Sequence, residues 1–253
     1  MSLASDSYYM FLRWMKKLVR NPILLFFSLF QPIIFLVLFT QLFSSFGLLL
    51  GGINYTIFAT AGIVLQNAFS SAFQSGTAVV DDIKSGFLTK MLATPASRAS
   101  ILLGRLLSDA FRVFAQSLII LVLAYGLGVF PVTGFIGYVL ILFTVAFFGL
   151  AWSGISLALG LRTKSAETVF GIAGTLTFPL LFMSTALMDK RLMPEWMKSV
   201  SAYNPISFAV NAIRDLIMIG YNWNSFLLSF GVISLIAILT MGATIYEFRK
   251  VVS

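Results

Sequence analysis

The charged residues whose spacing could support chemistry lie together at Arg105, Asp109 and Arg112. Intervals of four and three residues place all three side chains on one helical face, with the acid between the two bases. Such a group can pair locally near a membrane interface or relay a proton. We interpret the group as a structural ion-pair cluster and keep the proton relay as the alternative.

Most other catalytic chemistry is excluded by residue types that the sequence lacks. None of the 253 residues is Cys or His, which excludes a disulfide framework, a thiolate nucleophile and a Cys/His metal site. The commonest general acid–base at neutral pH is missing too, and so is the G-x-x-x-x-G-K-[ST] motif of ATP binding. We therefore predict no catalytic residue, no metal and no cofactor on this chain.

A second group of polar residues interrupts a long apolar run. Most of its members share one helical face. Polar side chains in hydrocarbon need protein or water as partners, so the group either forms interhelical hydrogen bonds or lines a substrate path. Both interpretations stay open. The polar residues of this run are Gln66, Asn67, Ser70, Ser71, Gln74 and Ser75.

The elements that position these side chains are membrane-spanning helices. Hydrophobic residues make up 59% of the chain and charged ones 10%, with a mean hydropathy of +0.96. A soluble domain carries about 25% charged residues, so lipid must cover this surface. The uncharged stretches of 60 residues after Arg20 and 49 residues after Arg112 each hold two crossings, because one crossing takes about 20 residues.

The predicted fold class is an all-α membrane protein with six transmembrane helices in one domain, residues 1–253. The chain is expected to turn between the first two spans near Ser44–Asn54, and between the third and fourth at Gly126–Gly137. Small residues of the fourth span, Gly149, Ser153, Ser156 and Gly160, suit close helix packing. The predicted spans are about 23–43, 55–79, 106–127, 137–160, 167–188 and 223–247.

Basic residues fix the predicted orientation. An even number of spans puts both termini on one side, and 13 of the 17 Lys and Arg residues fall on that side. By the positive-inside rule the termini are cytoplasmic, in the cell (inner) membrane. The net charge of +8 is spread between apolar runs rather than gathered in one patch, so no nucleic-acid partner is expected.

Two segments on the cytoplasmic side are not spans. Residues 7–20 form an amphipathic helix that lies in the headgroup plane with Trp14 as an anchor; it is an orientation anchor or a lever touching a partner. Residues 81–105 contain a short helix after Gly86 that ends at Pro95, followed by a helix capped by Ser97. The apolar edge of that short helix needs a cover, supplied by its own chain or by a soluble partner.

The outer segment 189–222 separates the fifth and sixth spans. It is rich in aromatic residues, as membrane interfaces are. Residues 201–220 are amphipathic, and we expect them to dip into the membrane and return. In the fifth span, Thr175, Phe178 and Phe182 share a face.

An ordered set of short motifs resembles the permease subunit of type-2 ABC exporters. The resemblance covers nearly the whole chain. Where the family often has Glu near the start of the central motif, this chain has Asp81-Asp82. The matching residues are Arg20-Asn21-Pro22, Gln31-Pro32, Ser85-Gly86-Phe87-Leu88, Met91-Leu92-Ala93-Thr94-Pro95-Ala96-Ser97-Arg98, Leu103-Gly104-Arg105, Met193-Pro194-Glu195-Trp196, Tyr203-Asn204-Pro205-Ile206-Ser207-Phe208-Ala209 and Ile213-Arg214.

The resemblance implies a transmembrane half-transporter within membrane lipids. Two copies, or one copy with a paralogue, would form the pore, and separate ATP-binding cassette subunits would carry ATP and Mg. The helix between spans two and three would be the coupling helix, and the segment between spans five and six a re-entrant lid. The residues implied in coupling to the ATPase subunit are Asp82, Gly86, Phe87, Leu88, Met91, Leu92, Pro95 and Arg98.

The resemblance is consistent with the substrate-path interpretation, because spans two and five face each other across the dimer axis in that family, and the interhelical interpretation stays open beside it. The path would be lined by Gln66, Asn67, Ser70, Gln74, Thr175, Phe178 and Phe182. Uncharged and aromatic, it suits a hydrophobic or amphipathic substrate: a drug, a lipid or a lipid-linked glycan. The alternative is a secondary transporter or channel without an ATPase, against which we note no charged residue expected at mid-membrane.

Overall fold

Helices form every regular element that the structure describes, as expected where a backbone in hydrocarbon must satisfy its own polar groups. The computed structural model describes residues 3–42 and 55–252, so the predicted turn near Ser44–Asn54 lies outside the described residues. The helices are α1 Leu3–Val19, α2 Pro22–Leu42, α3 Tyr55–Lys84, α4 Phe87–Leu92, α5 Arg98–Gly126, α6 Gly134–Thr163, α7 Ala166–Phe182, α8 Glu195–Tyr203, α9 Pro205–Met218 and α10 Trp223–Val252.

Five of the described helices, α2, α3, α5, α6 and α10, are long and apolar enough to cross a membrane. The apolar helix α7 has 17 residues and stops short of the predicted span 167–188. Asn204 accounts for this end, because its Nδ2 donates to the carbonyl oxygens of Leu180 at 2.6 Å and Met183 at 3.1 Å. A continuing helix would have used those carbonyls itself.

The central helix of the bundle is α3, which packs against α2, α5, α6, α7 and α9. Its crossing with α6 is held by Ser156, whose Oγ donates to Phe73 O at 2.8 Å and accepts from Gly76 N at 2.9 Å. A side chain at Gly160 would overlap the α3 backbone at Gly76. The small-residue stripe predicted in the fourth span therefore packs two helices of one chain together.

The outer segment is fastened to the end of α7. Thr185 N donates to Ser207 Oγ at 3.1 Å, and Thr185 Oγ1 donates to Asn211 Oδ1 at 2.8 Å. Arg214 Nη2 donates to Thr185 O at 2.9 Å. One face of α9 is buried against α3, α6 and α10, so side chains of α9 satisfy the backbone where α7 stops.

The opposite end of the bundle is the α4 end. There α1 packs along α5, and the last turns of α3, α6 and α10 meet the first turns of α5 around α4. The helix α5 begins at Arg98, and Ser97 Oγ accepts from Ser100 N at 3.1 Å, as the sequence predicted. The turn between α5 and α6, residues 127–133, falls within the predicted break.

Candidate functional site

A buried carboxylate, Asp82, ties α1 to the end of α3. Its Oδ1 accepts a hydrogen bond from Lys17 Nζ at 3.0 Å and lies 3.7 Å from Arg13 Nη2. Only 2% of Asp82 is exposed, and its Oδ2 has no hydrogen-bond partner among the described residues. A buried charge of this kind depends on its ion-pair partners, so Asp82 holds α1 against the segment that leads into α4.

Trp14, predicted as a headgroup anchor, is buried in the structure with 6% of its surface exposed. The Arg105 guanidinium lies 4.0 Å from the centroid of its ring and that of Arg13 lies 4.5 Å from it. The Arg13 guanidinium also lies 3.5 Å from the Phe87 ring, so cation–π contacts join α1, α4 and α5. Burial lowers the pKa of Arg13 and the Asp82 charge opposes that change.

The apolar edge of α4 is covered by the chain itself. Leu88 and Met91 are buried, Met91 with only 3% exposed, and Arg13 Nη1 donates to Met91 Sδ at 3.3 Å. Of the two covers that the sequence left open, the chain itself supplies the cover for these two residues. The side chains packed around them are Trp14, Val79, Ile101, Leu106, Leu157, Leu161 and Phe248.

The other residues implied in coupling lie nearer the surface. Phe87 and Leu92 are half-buried, and Pro95 and Arg98 are exposed. Gly86 has a φ of 67°, and nothing lies within contact distance of a side chain built there. Backbone conformation rather than space therefore calls for glycine at the turn into α4.

The Arg105, Asp109 and Arg112 group pairs as the spacing predicted. Asp109 Oδ2 accepts from Arg105 Nε at 3.1 Å, and Asp109 Oδ1 lies 3.3 Å from Arg112 Nη2. From α3, Ser75 Oγ donates to Asp109, and the carbonyl oxygens of Ser75 and Ser71 accept from the two arginines. All three charged side chains are buried, which makes the group a staple between α3 and α5.

The staple continues through residues that sequence reasoning missed. Ser71 Oγ donates to Gln116 Oε1 at 2.8 Å, and Gln116 Nε2 donates to Ser28 Oγ at 2.8 Å, which joins α2, α3 and α5. The signal for Gln116 was its spacing, since it follows Arg112 by four residues on the same face of α5.

The remaining polar residues of α3 face a small cavity of about 100 Å³ between α2, α3 and α5. Gln66, Asn67, Ser70 and Gln74 all line it. The atoms Gln66 Oε1, Asn67 Nδ2 and Gln74 Oε1 are buried without a hydrogen-bond partner among the described residues. The predicted polar set is thus divided: Ser71 and Ser75 staple helices, whereas the amides border a cavity.

A second cavity of about 280 Å³ lies between α2, α3 and α7. Gln66 borders it as well as the first cavity, and Phe178 and Phe182 line its other side. Six of the seven predicted path residues therefore border two neighbouring cavities, and Gln66 borders both. Thr175 lies apart, because it borders neither cavity and its Oγ1 donates to Gly171 O at 2.9 Å.

These places offer cavities bordered by amide and aromatic side chains, and a short helix that contacts α1 through Arg13. Within the ranges 3–42 and 55–252, no group of three acidic residues is placed to hold a metal ion. The buried Asp109 is held between two arginines. These features define a multi-pass, all-helical membrane protein with interior cavities and a braced short helix at one end.

Comparison with known proteins agrees with that class. Residues 7–218 match the family model described as ABC-2 type transporter, and the chain belongs to this family as a permease subunit. The match confirms the resemblance drawn from the ordered motifs. Permeases of this family are transmembrane subunits, so the chain is not an enzyme by itself.

Relatives with curated names cover most of the chain. The daunorubicin resistance ABC transporter permease protein DrrB1 of Streptomyces coeruleorubidus is 31% identical over 77% of this chain and 69% of its own length. A putative transport permease, ycf38, of Pyropia yezoensis is 30% identical over 81% and 71%. The probable doxorubicin resistance permease DrrC of Mycobacterium tuberculosis is 26% identical over 82% and 75%.

Proposed function

We propose that this chain is the transmembrane subunit of an ATP-driven exporter. Two copies, or one with a paralogue, form a pore with two separate ATP-binding cassette subunits, which carry ATP and Mg. In this proposal α7 is the fifth of six spans, and both termini are cytoplasmic in the inner membrane. The helix α1 lies in the interface, and α8 with α9 forms a re-entrant lid. The family assignment and the five long apolar helices support it.

The observation that carries the proposal is the brace at the α4 end. The helix α4 is bonded through Met91 to Arg13, and Arg13 and Lys17 are bonded to Asp82 at the end of α3. A displacement of α4 therefore moves α1 and α3 together. Leu88 and Met91 serve as the inward attachment, while Phe87, Leu92 and Pro95 offer the surface that an ATPase subunit contacts. Arg98 borders this surface at the start of α5.

The substrate proposed is hydrophobic or amphipathic: a drug, a lipid or a lipid-linked glycan. Support comes from the two cavities, in which amide groups of α3 meet aromatic side chains of α7. The exposed rings of Phe178 and Phe182 would face the second copy across the pore. Relatives named for daunorubicin and doxorubicin resistance make an anthracycline a suitable first probe.

The secondary-transporter alternative would need a buried acidic group to carry a proton, and Asp109 in the first half of α5 is such a group. A proton carrier must gain and lose a proton during transport. Asp109 is instead paired with both arginines, and its nearest hydroxyl, Ser75, is bonded to it. This arrangement favours a fixed staple, and the ATP-driven function remains the proposal.

The experiment that tests the proposal is Leu92→Asp, assayed by co-purification with the ATP-binding cassette subunit and by its ATP hydrolysis. Burying an unpaired carboxylate at this half-buried apolar contact costs free energy. The ATPase subunit should therefore dissociate, or its rate of ATP hydrolysis should no longer respond to the anthracycline. Thr168→Asp is the matched control, because it adds the same charge in the exposed first turn of α7, where negative charge is favourable. Thermal unfolding checks that both variants fold. An intact, responsive complex with Leu92→Asp would contradict the coupling surface.

A further inference from the structure

A groove of about 750 Å³ separates the first turns of α5 from the last turns of α10 at the α4 end. Both helices pack against α6 but scarcely touch each other there, and this divergence opens the groove. They run in opposite directions, so Arg98 on α5 and Arg249 on α10 lie at the same end. Leu106 and Met241 are each eight residues away from the arginine on the same helix. They therefore lie about 12 Å from the arginines along the helix axes.

The walls of the groove are apolar. Its floor contains the buried side chains of Leu106 and Phe248, and its outer edges contain the exposed side chains of Leu103 and Ile245. Thr244 adds no free polar group, because its Oγ1 is hydrogen-bonded to carbonyl oxygens of α6 and α10. The helices α5 and α10 that form its walls are both candidate spans.

The rim of the groove is cationic. Arg98 and Arg249 are exposed and line the groove, and neither guanidinium has an ion-pair or hydrogen-bond partner within residues 3–42 and 55–252. Guanidinium groups bind phosphate oxygens through paired hydrogen bonds. No acidic side chain lines the groove, so its charge is uncompensated.

From this juxtaposition we infer that the groove binds an anionic phospholipid. The phosphate lies between Arg98 and Arg249, and an acyl chain extends between α5 and α10 toward Leu106 and Met241. A basic pocket at the end of spanning helices is the arrangement that recognises anionic headgroups. A protein segment is less suitable, because the apolar walls run along spanning helices and open sideways toward hydrocarbon.

The test is native mass spectrometry of the full chain, released from micelles that contain equal amounts of phosphatidylglycerol and phosphatidylcholine. The wild-type chain is expected to retain phosphatidylglycerol preferentially. Replacing both rim residues, as Arg98→Gln with Arg249→Gln, should reduce its retention about 25-fold, since each cationic side chain contributes about fivefold. The matched control, Lys84→Gln with Lys250→Gln, removes the same charge from exposed residues outside the groove and should change retention less than twofold.

Two further variants separate the groove from general surface charge. Ala99→Trp fills the groove while both arginines remain, and it should lower phosphatidylglycerol retention as much as the double Gln variant. Arg98→Lys with Arg249→Lys should restore retention to within threefold of wild type. Equal retention of both lipids by the wild type, equal losses in the control, or full retention by Ala99→Trp would each overturn the inference. If the double Gln variant retains phosphatidylglycerol as the wild type does but no longer co-purifies with the ATPase subunit, the groove binds a protein partner instead.

Discussion

Asp82→Asn tests the brace between α1 and α3. The change removes a buried charge but leaves Lys17 and Arg13 in place, with side chains 49% and 27% exposed, so water can solvate the two cations that lose their partner. The free energy that this change removes from the contact between α1 and α3 is therefore smaller than the cost of leaving a buried charge without a partner. The difference between a charge-assisted and a neutral hydrogen bond, with a half-exposed ion pair, amounts to about 1–2 kcal/mol.

That free energy should appear as easier detachment of α1. A free helix of 17 residues is marginally stable in water, so detachment exposes its amides to exchange. Hydrogen exchange of peptides from residues 3–19, followed by mass spectrometry, should be about 5–30-fold faster in Asp82→Asn. Asp81→Asn is the control, because it removes the same charge from the neighbouring, exposed position.

Equal exchange of α1 in the two variants would refute the reasoning. It would mean that Trp14 and its cation–π contacts hold α1 without the carboxylate. Faster exchange throughout the bundle would also contradict the brace, since Asp82 is expected to control α1 locally.

The remaining predictions concern the interior. Asp109→Asn should lower the free energy of unfolding by about 3 kcal/mol, because it strands two buried arginines; a thermal midpoint equal to wild type, measured by size exclusion after heating, would contradict the staple. Gly160→Leu should abolish folded protein by overlap with the α3 backbone, whereas Gly171→Leu, with open space around it, should fold; similar yields would refute the close crossing. Asn67→Ala and Phe182→Ala should alter the relative transport of several substrates with little loss of stability, because one hydrogen bond in a membrane averages about 0.6 kcal/mol. Lower stability with an unchanged substrate profile in both would reject the cavity assignment.

Local features of the sequence predicted the elements whose causes are local. The Ser97 cap follows from the hydroxyl before an apolar run, and the pairing within Arg105, Asp109 and Arg112 follows from helical periodicity. The close crossing of α3 and α6 was anticipated from the small residues of α6, although the partner, Gly76, was not.

Features determined by distant residues were missed. The end of α7 is set by Asn204, 24 residues beyond the carbonyl of Leu180, and no pattern within α7 announces it. The amphipathic helix α1 was assigned to the headgroup plane, and the cover of the apolar edge of α4 was left open between the chain itself and a soluble partner. Trp14 of α1 and Met91 of α4 belong to one buried cluster, and periodicity alone does not identify what an apolar face packs against.

The most direct test of the exporter proposal is vectorial transport in proteoliposomes. The chain is reconstituted with and without its ATP-binding cassette subunit, and a panel of fluorescent probes is supplied: an anthracycline, a phospholipid and a lipid-linked sugar. The proposal predicts that at least one probe crosses only when both the ATPase subunit and Mg-ATP are present. Movement of a probe by this chain alone, driven by a proton or sodium gradient, would contradict it.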